Sequence, residues 1–395
     1  MANAFTSTGS ASLGGTVGGA GLVQKAYDRL LEFALRSEPL IRSVADKTPT
    51  NQTNPGSTVV MQKYVDLAKA TGTLTETVDP DAVALSTPTQ VSITLNEYGN
   101  SVLVTRALEL FSLADVDPAI ANIIAFNLAD SIDEVAMTEL RAGTNVIYGG
   151  SATSTATVAA ASTLDSADLR KAVAKLRSNK AVARKGSMYW VGIHPEVSHD
   201  LRAETGAAAW RDPHNYQSGE QIWAGEIGSY EGAYFVESAR MFSSKAGADQ
   251  TALATASAVS GVSGEFTIVV ANAAFGARAE VGDKIAGTNV GAAAKITAIS
   301  VGAVNTTLTV SVANSGTVGT ATLTVTPVTR VFNTIVCGQQ ALAQAVAEEP
   351  HVVIGNMTDK LNRFRPMGWY GVLGFKIYRE EALYRLETGS SISAL

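Results

Sequence analysis

The sequence predicts an α+β chain with a small all-β unit set into it, and three observations carry that reading. Two stretches of strand character, "STVVMQKYV" and "TQVSITLNEYGN", bracket a long polar excursion. In the second, Val91, Ile93 and Leu95 alternate with Gln90, Ser92, Thr94 and Asn96, the period of a half-buried strand. A long helix follows, with Ile120, Ile124, Leu128, Ile132, Val135 and Leu140 on one face. Finally, Ser243 to Thr329 holds none of the 4 Trp and 11 Tyr of the chain. Its short runs "EFTIVVA", "TTLTVSVAN" and "TATLTVTP", separated by Gly, Asn and Asp, predict a sandwich or barrel.

In chain order, the first 21 residues are rich in Gly, Ser, Thr and Ala, which bury little surface, and read as a flexible arm. They show neither the basic start nor the apolar run of a leader peptide. Tyr27, Leu30, Leu31, Ala34 and Leu35 then recur at helical spacing, and Pro39 ends that helix near Ser37. The excursion from Ala68 to Thr89 holds Gly72, Pro80 and Pro88 and no sustained period. Connections in compact domains have a median of about 4 to 6 residues, so this one is expected to serve something outside its own subunit. The long helix has Asp117 as N-cap, Pro118 at its first position and Gly143 as its stop. From Pro118 to Ala142 it would measure roughly 37 Å, long enough for a spine.

A Ser/Thr/Ala linker leads to a helix with Leu169, Val173 and Leu176 inward and Arg170, Lys171, Lys175 and Arg177 outward, a basic face continuing to Lys180, Arg184 and Lys185. "SMYWVGI" reads as a buried strand, Pro195 opens a short helix through Leu201, and "SYEGAYFVESARMF" resumes strand character after a loop with Trp210 and Trp223. In the tail "GWYGVLGFKIYREEALYRLET", Val372, Phe375 and Ile377 alternate with polar neighbours, and a last strand contains Leu383 and Leu386.

Composition excludes several functions. A formal net charge of −6 without a long basic run speaks against gripping nucleic-acid phosphates. Cys337 is the only cysteine, so there is no intrachain disulfide. The longest apolar runs, such as "AIANIIAFNLA", fall short of the roughly 18 residues of a membrane span. No G-x-G-x-x-G, Walker A, G-x-S-x-G or H-E-x-x-H pattern occurs, and no cofactor is expected. His194 and His199 in "IHPEVSH" do not face one side of a helix, and the expectation is a strand-to-helix corner with solvated histidines. Asp130 and Glu134 are expected on the solvated or partner-facing side of the long helix. The glycines of "GGTVGGAG" follow no predicted strand and make no phosphate cradle.

The order of parts, with the segments "LEFALRSEPLIRSVADKTPTNQTNPGSTVVMQKYVDL", "TETVDPDAVALSTPTQVSITLNEYGNSVLVTRALELFS", "GIHPEVSHDLRAE" and "GWYGVLGFKIYREEALYRLE", resembles the major capsid proteins of tailed bacteriophages, with their HK97-like fold. Within them it looks most like the group named after the N4 phage capsid protein. The resemblance implies an N-terminal arm at 1–25, an amphipathic helix region at 26–47 and an extended loop at 48–100 lying across a neighbouring subunit. It implies a peripheral domain at 101–145 and 365–395, an axial domain at 146–242 and 330–364, and the all-β insert at 243–329, a departure from the simplest layout.

The partners implied are further copies of the chain, as pentamers and hexamers, with scaffold, portal or decoration proteins beside them, a DNA genome enclosed without sequence-specific contact, and no membrane. The location implied is the virion, with assembly in the host cytoplasm. Candidate inter-subunit residues are Lys63, Tyr64, Lys69, Glu76, Asp79 and Asp81 in the loop and Arg170, Lys171, Lys175 and Arg177 on the basic helix. Lys63 and Lys69 lie where some members of the fold form a covalent cross-link, but no acceptor Asn or helper Glu matches by motif, so none is expected. Three other readings compete: a nanocompartment shell protein of the same fold, a β-rich surface adhesin, and an enzyme with a pocket between Trp190 and Trp223.

Overall fold

The computed structural model describes residues 40–48, 56–64, 66–67, 69–74, 76, 83–85, 87–106, 116–204, 226–251, 256–270, 279–302, 305–319, 322–355 and 363–392. The arm and the helix expected before Ser37 lie outside the described residues, as do Asp79, Asp81, Trp210 and Trp223. The strands are β1 (Asp46–Thr48), β2 (Thr58–Lys63), β3 (Thr89–Thr94), β4 (Asn96–Thr105), β5 (Val146–Tyr148), β6 (Tyr189–Ile193), β7 (Glu226–Tyr230), β8 (Ala233–Glu237), β9 (Ser243–Asp249), β10 (Ala256–Ser260), β11 (Thr267–Val270), β12 (Lys284–Gly287), β13 (Ile296–Val301), β14 (Thr306–Val310), β15 (Thr322–Thr326), β16 (Val328–Cys337), β17 (Leu342–Ile354), β18 (Phe364–Ile377) and β19 (Leu383–Thr388). The α-helices are α1 (Val116–Arg141), α2 (Ser166–Ser178) and α3 (Pro195–Ala203).

The chain divides into two compact units. The larger, Ser37–Glu97 with Asp130–Glu349 and Val372–Leu395, is organised by β16. That strand, "VTRVFNTIVC", is buried at nine of ten positions, as suits a near-continuous apolar run covered on both faces. It runs antiparallel to β19, β6 and β9, with Phe332 opposite Thr388 and Ser243, and Cys337 opposite Trp190. The sheet order is β5-β19-β16-β6-β8-β7, with β9 also on β16. β7 and β8 join through Glu231 (φ 51°) and Gly232 (φ 81°), the left-handed pair that a tight hairpin turn requires.

Helix α2 covers this sheet. Asp165 caps it by accepting the Asp168 N–H at 2.8 Å, and Leu169, Ala172, Val173 and Leu176 pack on Val191, Phe235, Phe332 and Val336. Each large apolar side chain so buried contributes about 1.5–3 kcal/mol. Cys337 is fully buried, and desolvation pushes its thiol up to about 12, so it is chemically inert.

Two strands depart from the sequence expectation. Ser243–Asp249, grouped with the insert on composition, is β9 of the main sheet, with Val328 opposite Asp249. Its lack of aromatics misled, because composition says nothing about pairing. Leu383–Thr388, grouped with the long helix, is β19, between β16 and β5 and inside the sheet assigned to the other domain. The Ser/Thr/Ala segment expected as a linker is packed: Val158 is buried and its carbonyl accepts the Ala248 N–H at 2.8 Å.

Between β9 and β16, β10 to β15 form a separate sheet, order β12-β15-β10-β11-β14-β13, around Ile268, Val270, Ile285, Leu308, Val310, Leu323 and Val325. The two ends of this segment meet, since the Gln250 N–H donates to the Pro327 carbonyl at 2.9 Å. Lys245 reaches Asp283 at 2.7 Å, and Lys284 reaches Asp249 at 2.6 Å. Removing residues 252–326 and joining Thr251 to Pro327 is therefore expected to leave a folded chain. Loss of those ion pairs exposes Lys245 to water instead of stranding it, so the melting point should fall by only a few degrees, equivalent to about 1–2 kcal/mol. Loss of the cooperative transition in scanning calorimetry would show that the segment is integral to the core.

The two strands flanking the excursion pair antiparallel from Thr58↔Thr94 to Lys63↔Thr89. Val59 and Met61 turn inward with Ile93 and Leu95 onto Ala343, Ala345, Val372 and Tyr378. β1 lies parallel to β17, with Asp46 opposite Ala343. Gly374 sits so close to this hairpin that a Cβ would run into the Thr94 carbonyl oxygen. In the tail, Leu373 and Phe375 are buried on one face of β18, and Val372 packs on the hairpin from the other. The simple alternation expected there fails because β18 is covered on both sides.

Helix α1 begins at Val116, so Asp117 is its second residue rather than its cap. In the larger unit it buries Ile132, Ala136, Met137 and Leu140, and also Asp133. Asp133 accepts the Arg42 N–H at 3.0 Å and lies 3.6 Å from Arg240 Nε. Arg240 also pairs with Asp130, which is half-exposed and so combines a solvated position with an intrachain partner. In the smaller unit, whose described parts are Tyr98–Ala129 and Pro350–Gly371 within those bounds, Val104, Ile124, Met367 and Trp369 form the core. Trp369 Nε1 donates to Asn127 Oδ1 at 2.9 Å, which satisfies the indole as it is buried.

Candidate functional site

The titratable groups give structural roles. His194 caps α3, its Nδ1 accepting the Glu196 N–H at 3.3 Å, and its ring packs on Phe332 at 4.8 Å. It is half-buried rather than solvated, and burial, then the charge of Arg330, holds its pKa below the ordinary value. His199 is exposed beside Asp200 at 3.4 Å, so the two histidines do not converge. Among the described residues no three His, Cys, Asp or Glu side chains are grouped to hold a metal, and no helix is long and apolar enough to cross a membrane.

Asp168 is pushed up to about 6, first by burial and then by Asp165 beside it, and one of its carboxylate oxygens is buried without a hydrogen-bond partner among the described residues. The fold holds this proton better than the unfolded chain does, so the stabilisation is complete below the ordinary value of 3.8 and is lost as pH rises through about 6. Asp168→Asn should raise the melting point at neutral pH and flatten its change between those two values, read by thermal melts across that range. An unchanged pH profile would sink the assignment.

The surface that stands out is the excursion beyond β2 and β3. Tyr64, Leu67, Leu74, Val83 and Leu85 are 55–79% exposed, a concentration of apolar side chains that monomeric proteins avoid unless a partner covers them. Lys69 and Glu76 are exposed as well. Two candidate contact residues are used within the chain. Lys63 donates to both oxygens of Glu381 at 3.0 and 3.1 Å, and Tyr64 donates its hydroxyl to Gln62 at 3.2 Å. Glu381 lies 318 residues from Lys63, a separation over which no pattern of spacing reports.

On α2, Arg170, Lys171, Lys175 and Arg177 all face outward. Arg170 Nε donates to the Ser166 carbonyl at 3.3 Å and approaches Glu231 at 4.0 Å. The basic row ends sooner than its sequence continuation, because Arg184 turns to Asp46 at 3.4 Å and Lys185 sits over the Tyr234 ring at 5.3 Å.

A chain that places its titratable groups in caps and ion pairs, and holds out a long hairpin studded with exposed apolar residues, defines a structural subunit made to contact further chains. Its fold is similar to three solved phage shells. It matches the Cyanophage Pam1 capsid asymmetric unit at TM-score 0.59 and 13% identity, over 94% of this chain and 98% of that one. It matches the capsid of Cyanophage P-SCSP1u at 0.57 and 12%, over 94% of each. It matches the acid-stable capsid of Helicobacter pylori bacteriophage KHP30 at 0.55 and 13%, over 94% and 97%. No curated protein sequence matches. A family model described as phage capsid protein matches residues 37–381, and the chain belongs to that family. It is a major capsid protein, the subunit that forms the icosahedral shell.

Proposed function

We propose that copies of this chain assemble as pentamers and hexamers into a shell around a double-stranded DNA genome, with the layout of the HK97-like fold and of its N4-type group. The observation that carries this reading is the exposed hairpin: Tyr64, Leu67, Leu74, Val83 and Leu85 stand exposed among its polar residues, and a neighbouring copy is the surface that would cover them. In this layout β2, β3 and the segment between them are the extended loop. Helix α1 is the spine of the peripheral domain, and the seven-stranded sheet with α2 is the axial domain. The chain from Thr71 to Gly99 carries Glu76, Asp79, Asp81 and Glu97 and no Lys or Arg, which complements the outward basic row of α2 on a neighbour.

Repeated weak contacts suffice in a closed shell, because closure makes each one intramolecular with the rest. A chain of net charge −6 also surrounds DNA without adhering to it. The six-stranded insert serves as a surface decoration, and scaffold, portal and further decoration proteins are partners during assembly in the host cytoplasm. Light scattering and negative-stain electron microscopy of the purified chain test the reading. Hollow particles, or pentamers and hexamers that become particles, support it; a monomer or dimer that persists in crowding salt overturns self-assembly by this chain.

A further inference from the structure

A pocket of about 370 Å³ lies in the larger unit, beside the last turn of α1, and two guanidiniums and one carboxylate line it. Arg141, the final residue of α1, lays its guanidinium 3.2 Å from the centre of the Phe242 ring. Among the described residues that guanidinium has no hydrogen-bond or ion-pair partner. Arg385 also lines the pocket, donating Nη1 to the Arg141 backbone carbonyl and Nη2 to Glu387 at 3.0 Å, while its buried Nε has no partner among the described residues. The other oxygen of Glu387 accepts the Thr155 hydroxyl at 2.6 Å.

Among the described residues Glu387 therefore pairs with Arg385 alone, and the Arg141 guanidinium, whose charge Glu134 offsets from outside the pocket walls, keeps its donors free for a ligand. Thr138 and Ser244 add hydroxyls to its walls, and Asn333 an amide. Burial first, and the charge of Arg385 after the opposing pull of Glu134, disfavours the Arg141 cation. A half-buried cation pair of this kind is stabilised by an anion that accepts from both forks.

We propose that this pocket binds a single oxyanion, a phosphate or a carboxylate, bridging Arg141 and Arg385. Its source is either dissolved phosphate or a side-chain carboxylate from a second copy of the chain; only the second source rests on the shell reading. The unpartnered fork of Arg141 and the unpartnered Nε of Arg385 supply donors for one such group, and a volume of about 370 Å³ accommodates it.

The test uses the full chain and two variants, Arg141→Gln and Thr138→Glu. The second places a carboxylate one helical turn before Arg141, on the pocket wall. Dissociated chains are melted in inorganic phosphate and in chloride at matched ionic strength, and particle formation is followed by light scattering. If dissolved phosphate is the ligand, it raises the wild-type melting point by a few degrees more than chloride, and both variants lose that increment. If a neighbouring copy fills the pocket, Arg141→Gln raises the concentration needed for assembly about tenfold, the equivalent of one charge-assisted hydrogen bond, while melting like wild type. The proposal is overturned if phosphate and chloride act alike on the wild-type chain and both variants assemble as it does. Failure of the wild-type chain to assemble would count against the shell reading and leave the phosphate comparison intact.

Discussion

Replacing residues 64–88 by Asn-Gly is expected to abolish closed particles while leaving the subunit folded. Lys63 and Thr89 stand directly opposite each other in the antiparallel pair, so a two-residue turn of the left-handed kind joins them without changing register. The described apolar residues of the excursion are exposed and support no core, so their removal deprives the isolated chain of little. Closing a shorter loop also lowers the entropic cost of folding, by about 0.6 kcal/mol for each halving of its length. The inter-subunit contact, in contrast, loses its whole apolar surface. Calorimetry should show a melting point equal to or slightly above that of the parent chain, and electron microscopy should show no shells. Particles of normal size and yield from the shortened chain would mean that the excursion is not the assembly element.

Phe332→Ala should cost about 3–5 kcal/mol of stability. Phe332 is fully buried in β16, flanked by β9 and β19, in the same core cluster as Leu169, Val173 and Leu176 of α2, and its ring meets that of His194. The hole cannot collapse readily, because the strands on both sides are tied by backbone hydrogen bonds. The melting point should fall by about 10 °C or more. The same variant admits water to His194, whose pKa should rise towards the usual histidine value. In the parent chain that depressed pKa costs stability as pH falls below about 6.5, since the unfolded chain takes up the proton first. In the variant this acid-side loss should shrink. A loss under about 1 kcal/mol, measured by denaturant titration, would show that β16 is not the organising strand.

Which parts were legible in the sequence follows from how far each signal reaches. The short apolar run "YWVGI", buried at all five positions, located β6. The alternation of Val91, Ile93 and Leu95 located β3, because the exposure of a half-buried strand has a period of 2. The stripe Leu169, Val173 and Leu176 located α2 and its outward basic row for the same reason at period 3.6. The length and place of α1 followed from its apolar face and Gly143, with an error of two residues at its start and one at its end. The candidate contact surface was half legible. The polar excursion advertised itself by its length, whereas the engagement of Lys63 by Glu381 did not.

The errors share a cause. β9 and β19 were assigned to the wrong neighbours because a strand's sequence states its two faces but not the strand it pairs with. Asp133 gave no sign of being buried, since its fitness for the interior depends on Arg240 and the Arg42 N–H, both brought to it by the fold. Arg141 and Arg385 are more than two hundred residues apart, and nothing in either segment announces that they share a pocket.

The sequence by itself determined the described α-helices and many of the strands, the mixed α+β class, the segregation of a small β-rich segment and the length of the excursion between β2 and β3. These rest on side-chain period, caps and turn residues, which act over about four residues and are written locally. The tertiary structure alone decided which strands pair, where the insert begins, which charges are buried with partners and which cation is left facing a pocket. Those depend on contacts between distant segments, and their free energies belong to pairs that exist only once the chain has folded.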